Sequence, residues 1–114
     1  MPSLLLIDDS DQMRRMIRRV IADLADPIFE CEGGTEVLAA YARHRRDCVL
    51  MDIEMPEMDG LTATRRLLEL FPEARVVIVT QYDDDRLRDA AREAGAVGYV
   101  LKENLLELRA RLQP

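Results

Sequence analysis

Five side chains able to do chemistry stand at the ends of short apolar runs. They are Asp8 and Asp9 after Leu-Leu-Ile, Asp52 after Val-Leu-Met, Thr80 after Val-Ile-Val, and Lys102 after Tyr-Val-Leu. If the fold gathers these ends, three carboxylates, a hydroxyl and an ammonium meet at one edge. Crowded carboxylates raise one another's pKa unless a cation holds them, and an all-oxygen site of this kind suits Mg²⁺ with several retained waters. A carboxylate attacks a phosphoryl group poorly because both are anionic. A divalent ion between them, an ammonium and a hydroxyl donor remove that obstacle, so Asp52 becomes a candidate phosphoryl acceptor, with Thr80 and Lys102 on the transferring oxygens. The acyl phosphate formed would add charge and acceptor oxygens that pull on Thr80 and Lys102.

The elements that must position these groups alternate strictly. Strand-like runs fall at residues 3–7, 27–31, 48–51, 76–79 and 98–101, each short, apolar and bounded by acidic or turn residues. Between them lie stretches of helical period. Residues 11–24 carry Met13, Met16, Ile17, Val20, Ile21 and Leu24 at spacings of three and four. Residues 35–43 follow Gly33-Gly34, and residues 61–70 are entered through Asp59-Gly60 and stopped at Phe71-Pro72. Residues 86–94 run from an Asp83-Asp84-Asp85 start to Gly95, and Asn104 with Glu107 reads as a capping-box variant opening a last helix to residue 112. Five βα units predict an α/β fold with a doubly wound parallel sheet, whose functional groups collect at the carboxyl ends of the strands.

Bulk properties bound the rest. A chain of 114 residues, 48% hydrophobic and 33% charged, has the size and balance of one folded domain. Its net charge of −6 argues against direct nucleic-acid binding by this domain, which needs clustered cations. The arginines do gather, as Arg14, Arg15, Arg18 and Arg19 and as Arg43, Arg45 and Arg46; they read as a solvated helix face and as cations near a helix C-terminus. No apolar stretch approaches a membrane span, and the first seven residues have no targeting character. Cys31 and Cys48, both in strand-like runs, read as reduced core residues of a cytoplasmic protein.

The segments Leu-Leu-Ile-Asp8-Asp9, Val-Leu-Met-Asp52-Ile-Glu-Met-Pro56-Glu-Met-Asp59-Gly60, Val-Ile-Val-Thr80 and Gly98-Tyr99-Val-Leu-Lys102 together resemble the receiver domain of bacterial response regulators, over nearly the whole chain. The resemblance implies a flavodoxin-like (βα)5 fold with strand order 2-1-3-4-5. It implies that Asp52 is the phosphoacceptor, that Asp9 and Asp52 bind Mg²⁺ directly, that Asp8 acts through water, and that the Glu54 carbonyl completes the protein ligands. Thr80 and Lys102 would bind phosphoryl oxygens, and Tyr99 would turn inward when Thr80 moves. Two positions depart from many relatives: Glu103 follows the lysine in place of proline, and Gln81 follows Thr80 in place of a small residue. Glu103 leaves the isomer of the Lys102–Glu103 bond open, and Gln81 narrows access to Asp52.

What the resemblance implies for function is a phosphorylation-dependent switch. Its phosphoryl donor would be a sensor histidine kinase or phosphotransfer protein. Its state would pass to a downstream effector or fused output domain, with a homodimer as a further arrangement. Residues 1–114 read as a single receiver domain without an output domain. The stretches around Thr80 and Lys102 resemble receivers fused to helix-turn-helix DNA-binding domains, so the chain reads as a stand-alone regulator or a piece of a longer one. The alternative is a Mg²⁺-dependent phosphatase with an aspartyl nucleophile. Such enzymes use a second carboxylic acid two residues on, where this chain has Glu54, and an inserted cap, which it lacks.

Overall fold

The computed structural model describes residues 1–112; Gln113 and Pro114, the last two of the expected 1–114 domain, lie outside the described residues. Elements alternate as β1 (Leu4–Ile7), α1 (Asp11–Ile21), β2 (Ile28–Cys31), α2 (Val37–Arg43), β3 (Cys48–Met51), α3 (Gly60–Leu70), β4 (Val76–Thr80), α4 (Asp85–Ala94), β5 (Gly98–Leu101) and α5 (Glu107–Leu112). All strand pairs are parallel, in the order β2-β1-β3-β4-β5, the doubly wound arrangement expected.

Strands covered on both faces must be apolar at every position, and β1, β3 and β4 are buried throughout. Their alternate residues feed two cores. Leu5, Ile7, Val49, Met51, Val76 and Ile78 pack toward α2, α3 and α4, where Tyr41 and Leu67 meet them. Leu4, Leu6, Leu50, Val77 and Val79 pack toward Ile17 and Ile21 of α1 and Leu108 of α5. Cys31 and Cys48 are free thiols within these cores, and burial pushes both up to about 11, so they stay protonated and inert.

Helix starts are set by side-chain caps. Ser10 accepts from the Met13 amide, Asp59 from the Leu61 and Thr62 amides, and Asp84 from the Arg86 and Leu87 amides. Gly95, at φ 104°, ends α4 in the left-handed conformation that glycine adopts freely.

Four expectations need correction. Helix α1 stops at Ile21 rather than residue 24, where the Leu24 amide turns back to the Ile21 carbonyl and Pro27 follows; Arg109 of α5 takes up the freed Val20 carbonyl at 2.8 Å. Residues 34–36 form a 3₁₀ turn, so α2 proper begins at Val37. The last helix opens at Glu107, after a 3₁₀ turn over Lys102–Asn104, and Glu107 pairs with Arg111 instead of closing a capping box with Asn104. The arginines of α1 are not one solvated face: Arg14 is buried while Arg15 and Arg19 are exposed, and Met16, expected in the apolar stripe, is exposed.

An acidic cleft at the strand ends

The register of the sheet places the site. Ile7 lies opposite Met51, so Asp8 and Asp52 leave neighbouring strands side by side, tied by the Asp52 amide donating to the Ile7 carbonyl at 2.9 Å. Thr80 lies opposite Leu101, which puts Lys102 one residue beyond it. The loop after β3 is folded back tightly. The Gly60 amide bonds the Ile53 carbonyl, and a Cβ on Gly60 would lie 1.8 Å from the Asp52 carbonyl oxygen, so only glycine fits. Within this loop Glu57 has φ 69° at the centre of a three-residue turn closed by the Met58 amide on the Pro56 carbonyl.

The result is a cleft of about 200 Å³ lined by Asp8, Asp9, Ser10, Asp52, Glu54, Gln81, Tyr82 and Lys102. One carboxylate oxygen from each of Asp8, Asp9 and Asp52 falls within 4.8 Å of the others. Asp8 and Asp52 are buried and Asp9 is exposed. Lys102 Nζ stands 3.1 Å from Asp8 Oδ2 and 3.2 Å from Asp52 Oδ1, shared between the two. Burial, and then the Asp8 charge, push Asp52 up to about 6, more than the shared ammonium offsets. Burial pulls the Lys102 ammonium down, but the two carboxylates outweigh it and hold its pKa above the usual value. A larger concavity of about 610 Å³ lies at the other ends of the strands, bordered by Pro2, Asp47 and Arg75, and gathers no comparable set of carboxylates.

A divalent cation fits this donor set. Asp8 Oδ1 accepts the Ser10 amide at 2.8 Å, and the buried Oδ2 has one partner, the Lys102 ammonium at 3.1 Å. Three carboxylates within 4.8 Å of one another against a single ammonium leave negative charge that suits a hard, oxygen-liganded cation.

The remaining candidates sit around the cleft. Thr80 is buried, its hydroxyl accepts the Tyr82 amide at 3.2 Å, and it is not among the residues that line the cleft. The Glu54 side chain is exposed and accepts the Tyr82 hydroxyl. Tyr99 donates its hydroxyl to the Tyr82 carbonyl at 2.7 Å, beneath the Arg88 guanidinium, 4.6 Å from the ring centre. The Lys102–Glu103 peptide is trans. The sequence reading missed Ser10, which caps α1 beside the site, and Arg14, whose Nη1 donates to the Asp8 carbonyl at 2.5 Å. Spacing held a signal for Arg14, since it lies three and seven residues before Ile17 and Ile21 and shares their face.

The response regulator receiver domain family model matches residues 4–113. The chain belongs to this family. Response regulator GacA of Pseudomonas aeruginosa is 37% identical over 109 residues, covering 94% of the chain and 51% of that protein. Chemotaxis protein CheY of Halobacterium salinarum is 35% identical over 98 residues, covering 86% and 82%. Among solved structures, a LuxR-family two-component response regulator from Aurantimonas superposes with a TM-score of 0.89 at 28% identity, over 98% of the chain and 85% of that structure. As a receiver domain the chain is a module of phosphorylation-based two-component signalling. It spans about half the length of the first curated relatives it matches. No helix among the described residues is long and apolar enough to cross a membrane.

Proposed function

We propose that this receiver domain is a switch phosphorylated on Asp52, drawing its phosphoryl group from a sensor histidine kinase or phosphotransfer protein. The observation that carries the reading is the shared Lys102 ammonium, within 3.2 Å of both Asp8 and Asp52 at the floor of an open acidic cleft. Asp9, Asp52 and the Glu54 carbonyl would hold Mg²⁺, with Asp8 acting through water; when bound, the ion offsets charge between the carboxylate and the incoming phosphoryl group. Asp52 supplies the attacking oxygen and is ionised at neutral pH, since even its raised pKa lies near 6. Lys102 is placed to pair with a phosphoryl oxygen on Asp52 in exchange for its present partners.

The same charge reaches the rest of the domain through Tyr82. Its amide holds the Thr80 hydroxyl and its carbonyl holds the Tyr99 hydroxyl. A phosphoryl oxygen that captures the Thr80 hydroxyl releases the first of these bonds and loosens the second, biasing Tyr99 and the α4–β5 face. Partner choice would be read from that face by an effector or an output domain, with residues 1–114 forming one receiver domain that works in the cytoplasm. The chain would catalyse only its own phosphorylation and slow dephosphorylation. The phosphatase alternative is less well served, because the Glu54 carboxylate is held by Tyr82 at the rim and no insertion among the described residues caps the cleft.

The test is mass spectrometry after incubation with a small phosphodonor and MgCl2. A single phosphoryl adduct that maps to Asp52 and is absent in Asp52→Asn is expected. Turnover of a chromogenic phosphate ester, or an adduct that persists in Asp52→Asn, overturns the reading.

A further inference from the structure

Arg14 occupies a position on α1 that an apolar residue would fill, in line with Ile17 and Ile21, and is only 7% exposed. Burying a guanidinium is unfavourable unless its donors are met, and here they are met on three sides. Nη1 donates to the Asp8 carbonyl at 2.5 Å, Nε to Glu30 Oε1 at 2.8 Å, and Nη2 to Asp11 Oδ1 at 3.3 Å. Glu30, on the edge strand β2, is held in turn by Arg18 through its other oxygen at 3.1 Å.

The Asp8 carbonyl belongs to the peptide that joins Asp8 to Asp9. The preceding peptide, Ile7–Asp8, is fixed by the sheet, since the Asp8 amide donates to the Cys31 carbonyl at 3.2 Å. Past that point the sheet ladder ends, and Arg14 is the group that takes the carbonyl. The plane of this peptide decides where the Cα of Asp9 sits, and with it the exposed Asp9 carboxylate that completes the acidic triad. We propose that Arg14, oriented by Glu30, is a positioning residue that fixes the Asp8–Asp9 peptide and so sets the affinity of the cleft for a divalent cation. This rests on the reading of the cleft as a Mg²⁺ site. Partners that orient metal ligands without touching the metal typically change affinity 10- to 100-fold when removed, a range of about that size.

The experiment is a titration of the ¹⁵N-labelled chain with MgCl2, following the Asp9 and Ile53 amide shifts, with metal-free melting temperature measured in parallel. Arg14→Met is expected to weaken Mg²⁺ binding about tenfold or more. Arg14→Lys is expected to fall between it and the parent, because one ammonium reaches the carbonyl but cannot bridge it to Glu30. A folded Arg14→Met whose Mg²⁺ affinity equals the parent's, with only a lower melting temperature, overturns the proposal and leaves Arg14 a structural residue. Should Arg14→Met fail to fold, an Arg14→Lys affinity equal to the parent's overturns it in the same way. Asp9→Ala separates the two levels: binding by the parent that is lost in Asp9→Ala upholds the metal site whatever Arg14 does. Absence of saturable shifts in the parent overturns the metal reading and the role of Arg14 together.

Discussion

The Tyr82 hydroxyl donates to the Glu54 carboxylate, joining the loop after β4 to the loop after β3 across the mouth of the cleft that holds Asp52. That bond raises the phenol's pKa, so it stays a donor across the physiological range. Glu54, Gln81 and Tyr82 all line the cleft, and we infer that water attacking a phosphorylated Asp52 in line would pass between them. We predict slow self-dephosphorylation that quickens about tenfold in Tyr82→Ala, a barrier change of about 1.4 kcal/mol, and less in Tyr82→Phe, which keeps the ring. Decay is followed after removal of the donor at constant Mg²⁺; a Tyr82→Ala rate equal to the parent's rules out shielding.

Asp52 gives the metal-free domain a distinctive pH profile. Its folded pKa of about 6 lies above the ordinary 3.8, so the folded state holds the proton more tightly. The stability this contributes is full below about pH 4 and lost as pH rises through about 6. Asp52→Asn, which removes the ionisation but keeps the volume, is therefore expected to be more stable than the parent at pH 7.5 by up to about 3 kcal/mol, with the gap closing toward pH 4. Denaturant melts in EDTA at both pH values check this; a gap independent of pH contradicts it.

Asp9 and Asp8 differ in exposure and in partners. Asp9 is exposed, whereas Asp8 is buried and holds Lys102 and the Ser10 amide. Asp9→Ala is predicted to weaken Mg²⁺ binding more than Asp8→Ala does, while Asp8→Ala changes metal-free stability more, because Asp8 is buried against Lys102 and Asp52 whereas Asp9 is exposed. Metal titration and denaturant melts on both variants decide it. Equal losses of Mg²⁺ affinity would refute the division of roles.

Among the described residues, Lys102 is the cation that pairs with both buried carboxylates. Lys102→Ala is predicted to retain some phosphorylation and to weaken the conformational response, since the direct link from the phosphoryl group to the end of β5 is gone and only the Thr80–Tyr82 route remains. Amide shifts of Tyr99 before and after phosphorylation report it. A normal Tyr99 response in the variant would count against this tether.

Gly60 presses on the backbone of Asp52 more closely than any side chain allows. Gly60→Ala is expected to destabilise the domain by roughly 3 kcal/mol, at the upper end of overpacking effects, because the obstructing atom is a backbone oxygen that cannot rotate away. A denaturant melt within 1 kcal/mol of the parent, on the order of an ordinary surface change, would contradict the close approach.

Alternation of apolar runs with helical periods determined the fold class, because a sheet buried on both faces leaves no other pattern for β1, β3 and β4. The same logic placed Asp8, Asp9, Asp52, Thr80 and Lys102 at one edge of the sheet, since residues that end parallel strands share one edge whatever the loops do. Helix ends were less legible: where α1 stops at Ile21, the freed Val20 carbonyl is taken up by Arg109, 89 residues on, and no local spacing announces a partner so distant. The sharing of Lys102 between two carboxylates, the Tyr82–Glu54 bridge and the burial of Arg14 were decided by tertiary structure alone. Charge and residue type say what a side chain can bond. Which of several carboxylates, carbonyls or water molecules it meets depends on the register of neighbouring strands and the packing of loops from distant parts of the chain.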